Sequence, residues 1–478
     1  MLFWVDFSSV NIRVGTPPQW VSVFPSTTGE ETWVIGSDGC DDSFACLNKR
    51  GGLFLVNESS SWQDVGDYDI GFDPQFGDAG SGYYGLDNIA LDQYSTYPDQ
   101  IVAVINTTKC WLGTIGLGIE PSNFTDSSQL TFLSTLATNR SVIPSFSYGY
   151  TAGAYYRLKG VPASLTLGGI DQTRFTPNNV TFQLSPDKRP MVSLNSISVS
   201  ANPGSSVNPA PSFSSPTTLL QSTSDGLFSI DSSTPFLWLP KTACNSFSQM
   251  LNLTYNNTLQ VYTYSSTSVR TQLLNWNVTF KFTVTDLPDS QISTDIYIPL
   301  SAFDQTLTIP FPNYKSQDTG DAFFYFALRQ AANATQYTLG RSFLQEAYLA
   351  VDYERGNFSV SQAKFAADAL TNTNIIAINP PENSNLTSSP GTQSFLSTRV
   401  KVGIGVGAGV ALPVTIIAIA ICVWRRRRPP ALEPSLPEKP ENRISEPWGD
   451  RILPVEAPAD ASVAELLASL PDPIELQG

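Results

Sequence analysis

Short runs in which apolar and polar residues alternate recur along the first three quarters of the chain. N-V-T-F-Q-L (Asn179 to Leu184) and W-N-V-T-F-K-F-T-V (Trp276 to Val284) put every second side chain on one face. Clusters of Gly, Pro, Asn and Asp bound them. A period of two between turn formers predicts half-buried β-strands. Patterns of helical period are few and short: T-F-L-S-T-L-A around Leu133, and K-T-A-C-N-S-F-S-Q-M-L before Asn252. Residues 1 to about 368 therefore read as all-β.

The pattern then changes. Residues 371–401 are rich in Asn, Ser, Thr and Pro. They lack the apolar residues to bury a core and read as a flexible stalk. Val402 to Trp424 follow, 23 residues without a charge. That length crosses a ~30 Å hydrocarbon core as a helix. Arg425 to Arg428 come directly after it, against only Arg399 and Lys401 on the other side. Positive charge collects on the cytosolic side, so the expected topology is type I and single-pass, with 425–478 as a mostly disordered cytoplasmic tail.

Gly403, Gly405, Gly407 and Gly409 space small residues four apart, which would let two such helices approach as a homodimer. Cys422 lies where S-acylation is known to occur, though a small inert hydrophobe is the commoner role. Ser462 to Pro471 could form a short amphipathic helix for a cytosolic adaptor. M-L-F-W-V at the start is too short an apolar run for a signal peptide, so an upstream segment is expected.

Charge and composition narrow the chemistry. The 478 residues suffice for two domain-sized cores. A net charge of −15 leaves no basic footprint for nucleic acid. There is no histidine, which excludes Ser-His-Asp and Cys-His catalysis and any His-ligated metal. Cys40, Cys46, Cys110, Cys244 and Cys422 contain no C-x-x-C pair. Neither a metal nor a cofactor is expected. Sequons lie at Asn57, Asn106, Asn123, Asn139, Asn179, Asn252, Asn256, Asn277, Asn333, Asn357 and Asn385, all before the apolar segment. That one-sided distribution points to a glycosylated ectodomain, extracellular or lumenal.

Two segments repeat. V-F-P-S-T-T-G-E-E-T-W-V-I (Val23 to Ile35) and F-S-I-D-S-S-T-P-F-L-W-L-P (Phe228 to Pro240) each run apolar, bend through Ser and Thr, and end on an apolar stretch with a Trp. The second carries Asp231 at its bend. The first has Thr27 where the matching carboxylate would be.

R-V-G-T-P-P-Q (Arg13 to Gln19), the first half-site and C-D-D-S-F-A-C (Cys40 to Cys46) together resemble the opening of pepsin-like aspartic proteases. The resemblance continues in order. It runs through S-S-S-W-Q-D-V (Ser59 to Val65), G-Y-Y-G-L-D-N-I (Gly82 to Ile89) and G-T-I-G-L-G (Gly113 to Gly118). It then takes in S-L-T-L-G-G-I-D (Ser164 to Asp171), I-D-S-S-T-P (Ile230 to Pro235) and Y-T-L-G-R-S-F-L-Q-E-A-Y-L-A-V-D (Tyr337 to Asp352). It looks most like the membrane-anchored, glycosylated members found in filamentous fungi. It implies a bilobal fold of two six-stranded-barrel-like lobes, 1–175 and 176–370, with an extended peptide or other polymer in the cleft between them. It also implies a disulfide between Cys40 and Cys46, leaving Cys110 and Cys244 to pair with each other or stay as thiols.

In that family each lobe offers one Asp in a D-T-G loop. Two carboxylates about 3 Å apart share one proton, so one acts as base on a water while the other polarises the substrate carbonyl. Anchored on Gly29, the first loop here reads Thr27-Thr28-Gly29, and the carboxylate becomes a hydroxyl that cannot serve as a base. The second reads Asp231-Ser232-Ser233-Thr234, with Ser for the expected Gly. In the flap, Phe76 or Gln75 falls where a Tyr is expected. The landmarks of the fold survive while those of the chemistry erode. The expectation is a membrane glycoprotein whose cleft binds or senses without cleaving. An active acid endopeptidase and a structural cell-surface glycoprotein are the alternatives.

Overall fold

A computed structural model describes residues 9–382 apart from 41–43, 71–79, 108–109, 126, 139–141, 159, 204–212, 214–215, 222–225, 308–322, 367 and 369–371, together with 474–477. Its architecture is mostly β, and one sheet arrangement occurs twice. In the first lobe, strand Gln19–Ser26 runs antiparallel to Val10–Val14 and parallel to Gly113–Gly116. Gly113–Gly116 lies beside Thr32–Ile35, which runs parallel to Tyr97–Ile105. In the second lobe, Phe228–Ile230 runs antiparallel to Met191–Ser200 and parallel to Thr338–Leu339. Thr338–Leu339 lies beside Leu237–Pro240, which runs parallel to Leu328–Ala331. In each copy a short strand from later in the chain fills the gap left by a bend. The two bends are the half-sites legible in the sequence.

Alternation explains the strands. In Val10–Val14 the residues Val10, Ile12 and Val14 are buried while Asn11 is exposed. The second lobe packs Phe280 against Phe247, Phe303 and Phe326. Helices Phe132–Thr138 and Lys241–Leu251 form where the apolar period indicates. Phe44–Lys49, Thr267–Asn275 and Arg341–Leu344 are helices that the period does not reveal. They are short, and all four residues of Arg341–Leu344 are buried. The Ser266 hydroxyl accepts from Val269 N at 3.2 Å, capping one of them.

Two alternating runs are shorter as strands than as patterns. The strands are Phe182–Gln183 and Thr279–Thr285. Asn179 and Asn277 have φ of 55° and 48°, a left-handed backbone that cannot continue a strand.

A third sheet joins the halves. Ser147–Thr151 pairs with Ser164–Leu167 on one side and Ala347–Asp352 on the other, and Asn357–Ala363 follows. Two expectations about the far end of the chain change here. Part of the predicted stalk is ordered, because Ile375–Ala377 pairs with Gly169–Asp171. Asp171 accepts from Asn374 N at 3.0 Å, so a short apolar run docks on the lobe within polar sequence. In the predicted tail, Ile474–Gln477 pairs antiparallel with Ser164–Leu167. An open strand edge with unpaired backbone groups recruits such a segment. The expected span 402–424 and amphipathic stretch 462–471 lie outside the described residues. Among the described residues, no helix is long and apolar enough to cross a membrane.

A buried carboxylate sits where the halves meet. Glu346, 1% exposed, accepts from Arg157 Nε and Nη2 at 2.8 and 2.6 Å and from the Tyr156 hydroxyl at 2.9 Å. Burial pushes it up to about 7 despite Arg157. A carboxyl raised in the folded state takes up its proton there first. Its contribution is fully present near pH 4 and is lost as pH rises through about 7. Acidification from pH 7 to 5 should therefore stabilise the wild type by up to about 3 kcal/mol relative to Glu346→Gln. Denaturant unfolding of both proteins across that range checks it.

Candidate functional site

The first bend leaves strand Gln19–Ser26 at Ser26, and the second leaves Phe228–Ile230 at Asp231. They meet back to back in the interior. Ser26, Thr27, Asp231 and Ser232 are each at most 3% exposed. The loops exchange hydroxyl hydrogen bonds. Thr27 Oγ1 donates to Ile230 O at 2.8 Å and accepts from Ser232 N at 3.0 Å. Ser232 Oγ donates to Pro25 O at 2.6 Å and accepts from Thr27 N at 2.9 Å. The pattern maps onto itself when the lobes are exchanged. Thr27 and Ser232 are equivalent, 205 residues apart, as are Pro25 and Ile230.

This register corrects the expected position of Thr27. Thr27 is a clamp, equivalent to Ser232, and the residue equivalent to Asp231 is Ser26. The same offset makes Thr28 the counterpart of Ser233 and Gly29 that of Thr234. Ser26 Oγ accepts from Gly29 N at 2.9 Å, while Asp231 Oδ1 accepts from Ser233 N at 2.8 Å. The Trp residues carried the signal, since Trp33 and Trp238 are also 205 apart in the sequence. Anchoring on the Trp rather than on Gly29 gives the register the hydrogen bonds adopt.

The surroundings of Asp231 are unequal. Its Oδ1 accepts a second bond, from Thr28 Oγ1 at 2.9 Å. Its Oδ2 is buried with no hydrogen-bond partner in the structure. Asp231 N donates to Leu339 O at 3.1 Å, which fixes the loop on the inserted strand. Beneath the loop, Arg341 Nη1 donates to Ser232 O at 2.5 Å and to Ser233 O at 2.9 Å. Gly340 admits this approach, because a Cβ there would lie 2.3 Å from Phe236 O.

The first loop holds acids that point elsewhere. Glu31 accepts from the Tyr84 hydroxyl at 2.6 Å and from Trp33 Nε1 at 3.2 Å. The described part of the bend thus brings together Ser26, Thr27, Thr28, Asp231, Ser232 and Arg341. Of these, Ser26 and Arg341 escaped the sequence reading. Phe76 lies outside the described residues.

Cys40 and Cys46 form the expected disulfide. Cys110 and Cys244 do not pair with each other and are thiols. Cys244 is buried, and that burial pushes its thiol up to about 12. Among the sequon asparagines, Asn57, Asn106, Asn123, Asn179, Asn252, Asn277 and Asn333 are exposed, and Asn256 and Asn357 are half-buried. Asn139 and Asn385 lie outside the described residues.

Two β-lobes with facing loops joined by exchanged hydroxyls define an aspartic-protease-like architecture. The model of the eukaryotic aspartyl proteases matches residues 9–365, and the chain belongs to that family. Secreted aspartic protease 7 of Candida albicans is 27% identical over 180 residues, covering 37% of this chain and 30% of that protein. Aspartic proteinase yapsin-3 of Saccharomyces cerevisiae is 22% identical over 382 residues, covering 75% of this chain and 66% of that protein. The match thus spans less than a third of the first relative's length.

The clamp can be tested directly. Thr27→Val leaves Ile230 O and Ser232 N buried without their partner. It should cost about 2–4 kcal/mol, whereas Thr27→Ser should stay within about 1 kcal/mol of wild type. Equilibrium unfolding of the two variants measures the difference.

Proposed function

We propose that this chain is a proteolytically incompetent aspartic-protease-like glycoprotein whose cleft binds an extended peptide or similar polymer without cleaving it. One observation carries the reading: a serine, Ser26, occupies the position equivalent to Asp231. A hydroxyl cannot share a proton with Asp231 or activate water as a carboxylate does. Thr28 adds to the loss, since its hydroxyl occupies Oδ1 of the remaining acid.

An acid-pH cleavage assay on a mixed peptide library tests the reading, with the full chain beside Asp231→Ala, Ser26→Asp and Ser26→Asp/Thr28→Gly. Wild type and Asp231→Ala should be equally inactive while peptide capture persists. The double substitution should raise cleavage above wild type, by as much as about 10²-fold. Wild-type cleavage that Asp231→Ala abolishes would overturn the reading in favour of an active endopeptidase.

The membrane reading rests on sequence: the uncharged 402–424, the Arg425–Arg428 stop and sequons confined to the preceding residues. Pairing of Ile474–Gln477 with Ser164–Leu167 and a span at 402–424 exclude each other in one inserted chain. In the proposed type I form the terminal strand is therefore released to the cytosol, where an adaptor would meet it. The Gly-rich span would support a homodimer. In sealed microsomes, a tag after Gly478 should be digested by external protease while the glycosylated lobe is protected. Protection of both would overturn this topology.

A further inference from the structure

Arg341 is the largest buried group near the site that the proposed function does not use. It is 5% exposed and begins the helix Arg341–Leu344, whose four residues are all buried. Its backbone N donates to Thr234 O at 2.8 Å, and its guanidinium holds the carbonyls of Ser232 and Ser233, the two residues after Asp231. Its face lies 4.0 Å from the Phe24 ring centre, on the strand that leads into the other bend. A cation is thus wedged behind both loops, on the backbone of the two residues that follow Asp231.

The repeat shows that this cation belongs to one lobe only. Trp33 pairs with Thr114 as Trp238 does with Thr338, and Pro25 with Ile115 as Ile230 does with Leu339, so the buried Leu117 is the counterpart of Arg341. The half that carries the buried carboxylate also carries the buried cation. At the equivalent positions, Ser26 and Leu117, the other half has neither. A buried charge with no counter-charge costs several kcal/mol. In a two-carboxylate site the shared proton leaves one negative charge across the pair. Here a single acid must be accommodated without that device.

The geometry points to Arg341 as the counter-charge of Asp231, a positioning residue that keeps a lone carboxylate buried in the cleft floor. This goes beyond the proposed function and holds whether or not the cleft cleaves peptides. Burial lowers Arg341 to about 10, so it remains a cation at every pH the protein meets, and the charge of Asp231 counteracts that lowering. Tyr150, Tyr325 and Cys110 also interact electrostatically with Arg341, and Tyr148 with Asp231. None of these changes charge between pH 3 and 7. Glu346 titrates in that window but bonds to Arg157 and is common to all variants compared, so it cancels in the difference.

Thermal unfolding of the full chain at pH 3 to 7 tests this, with Arg341→Met, Arg341→Lys, Asp231→Asn and the Asp231→Asn/Arg341→Met double variant. Removing the cation leaves the carboxylate unpaired wherever it is ionised. The Tm deficit of Arg341→Met should therefore widen with rising pH, by about 5 °C or more across the range. Asp231→Asn in the same chain should recover at least half of the pH 7 deficit. Arg341→Lys should keep the wild-type pH profile. A deficit equal at every pH and unrelieved by Asp231→Asn would overturn the proposal and leave Arg341 as a clamp on two carbonyls. So would an Arg341→Lys profile matching that of Arg341→Met. If Arg341→Met does not fold, a folded double variant supports the proposal and an unfolded one overturns it.

Discussion

Two hydroxyls hold the centre of this molecule. Thr27 and Ser232 each give one hydrogen bond across the lobe boundary and each accept one back. All four bonds are buried, where an unmade bond costs about 1–3 kcal/mol. Their reciprocity sets the register of both bends at once. Once Thr27 meets Ser232, Ser26 and Asp231 must be equivalent, and so must Thr28 and Ser233. The short strands Gly113–Gly116 and Thr338–Leu339 fit into the gaps that this register leaves.

The chemistry of the site follows from that constraint. The clamp survives although its neighbours have drifted, because the hydroxyls bond to backbone and are indifferent to what stands beside them. Ser26 fits the first bend as a local acceptor for Gly29 N. Thr28 fits because Asp231 offers an acceptor at 2.9 Å. The scaffold of a two-acid site can therefore persist with one acid, provided the remaining charge is accommodated.

Much of this was legible in the sequence. Alternating runs gave the strands, the ordered landmarks gave the bilobal fold, and the repeat gave the two bends. Helices of a single turn or two, such as Arg341–Leu344, were not legible because tertiary burial holds them rather than an apolar period. Asn179 and Asn277 shortened two strands through left-handed backbone that alternation does not encode. At the first bend Gly29 stands out but does not keep the repeat register, which Trp33 and Trp238 do. Arg341 lay in plain view within Y-T-L-G-R-S-F-L. Its role depends on residues more than a hundred positions away, and no local pattern announces that.

The equivalence of Leu117 and Arg341 has a consequence for any chain lying between the lobes. An extended chain has a sense, from amino to carboxyl end. A floor with matched halves would present the same groups to either sense. This floor has hydroxyls and an apolar leucine on one side and a carboxylate with a guanidinium on the other. If a chain lies in the proposed cleft, its two orientations would meet different fields, so the site would distinguish the direction of that chain.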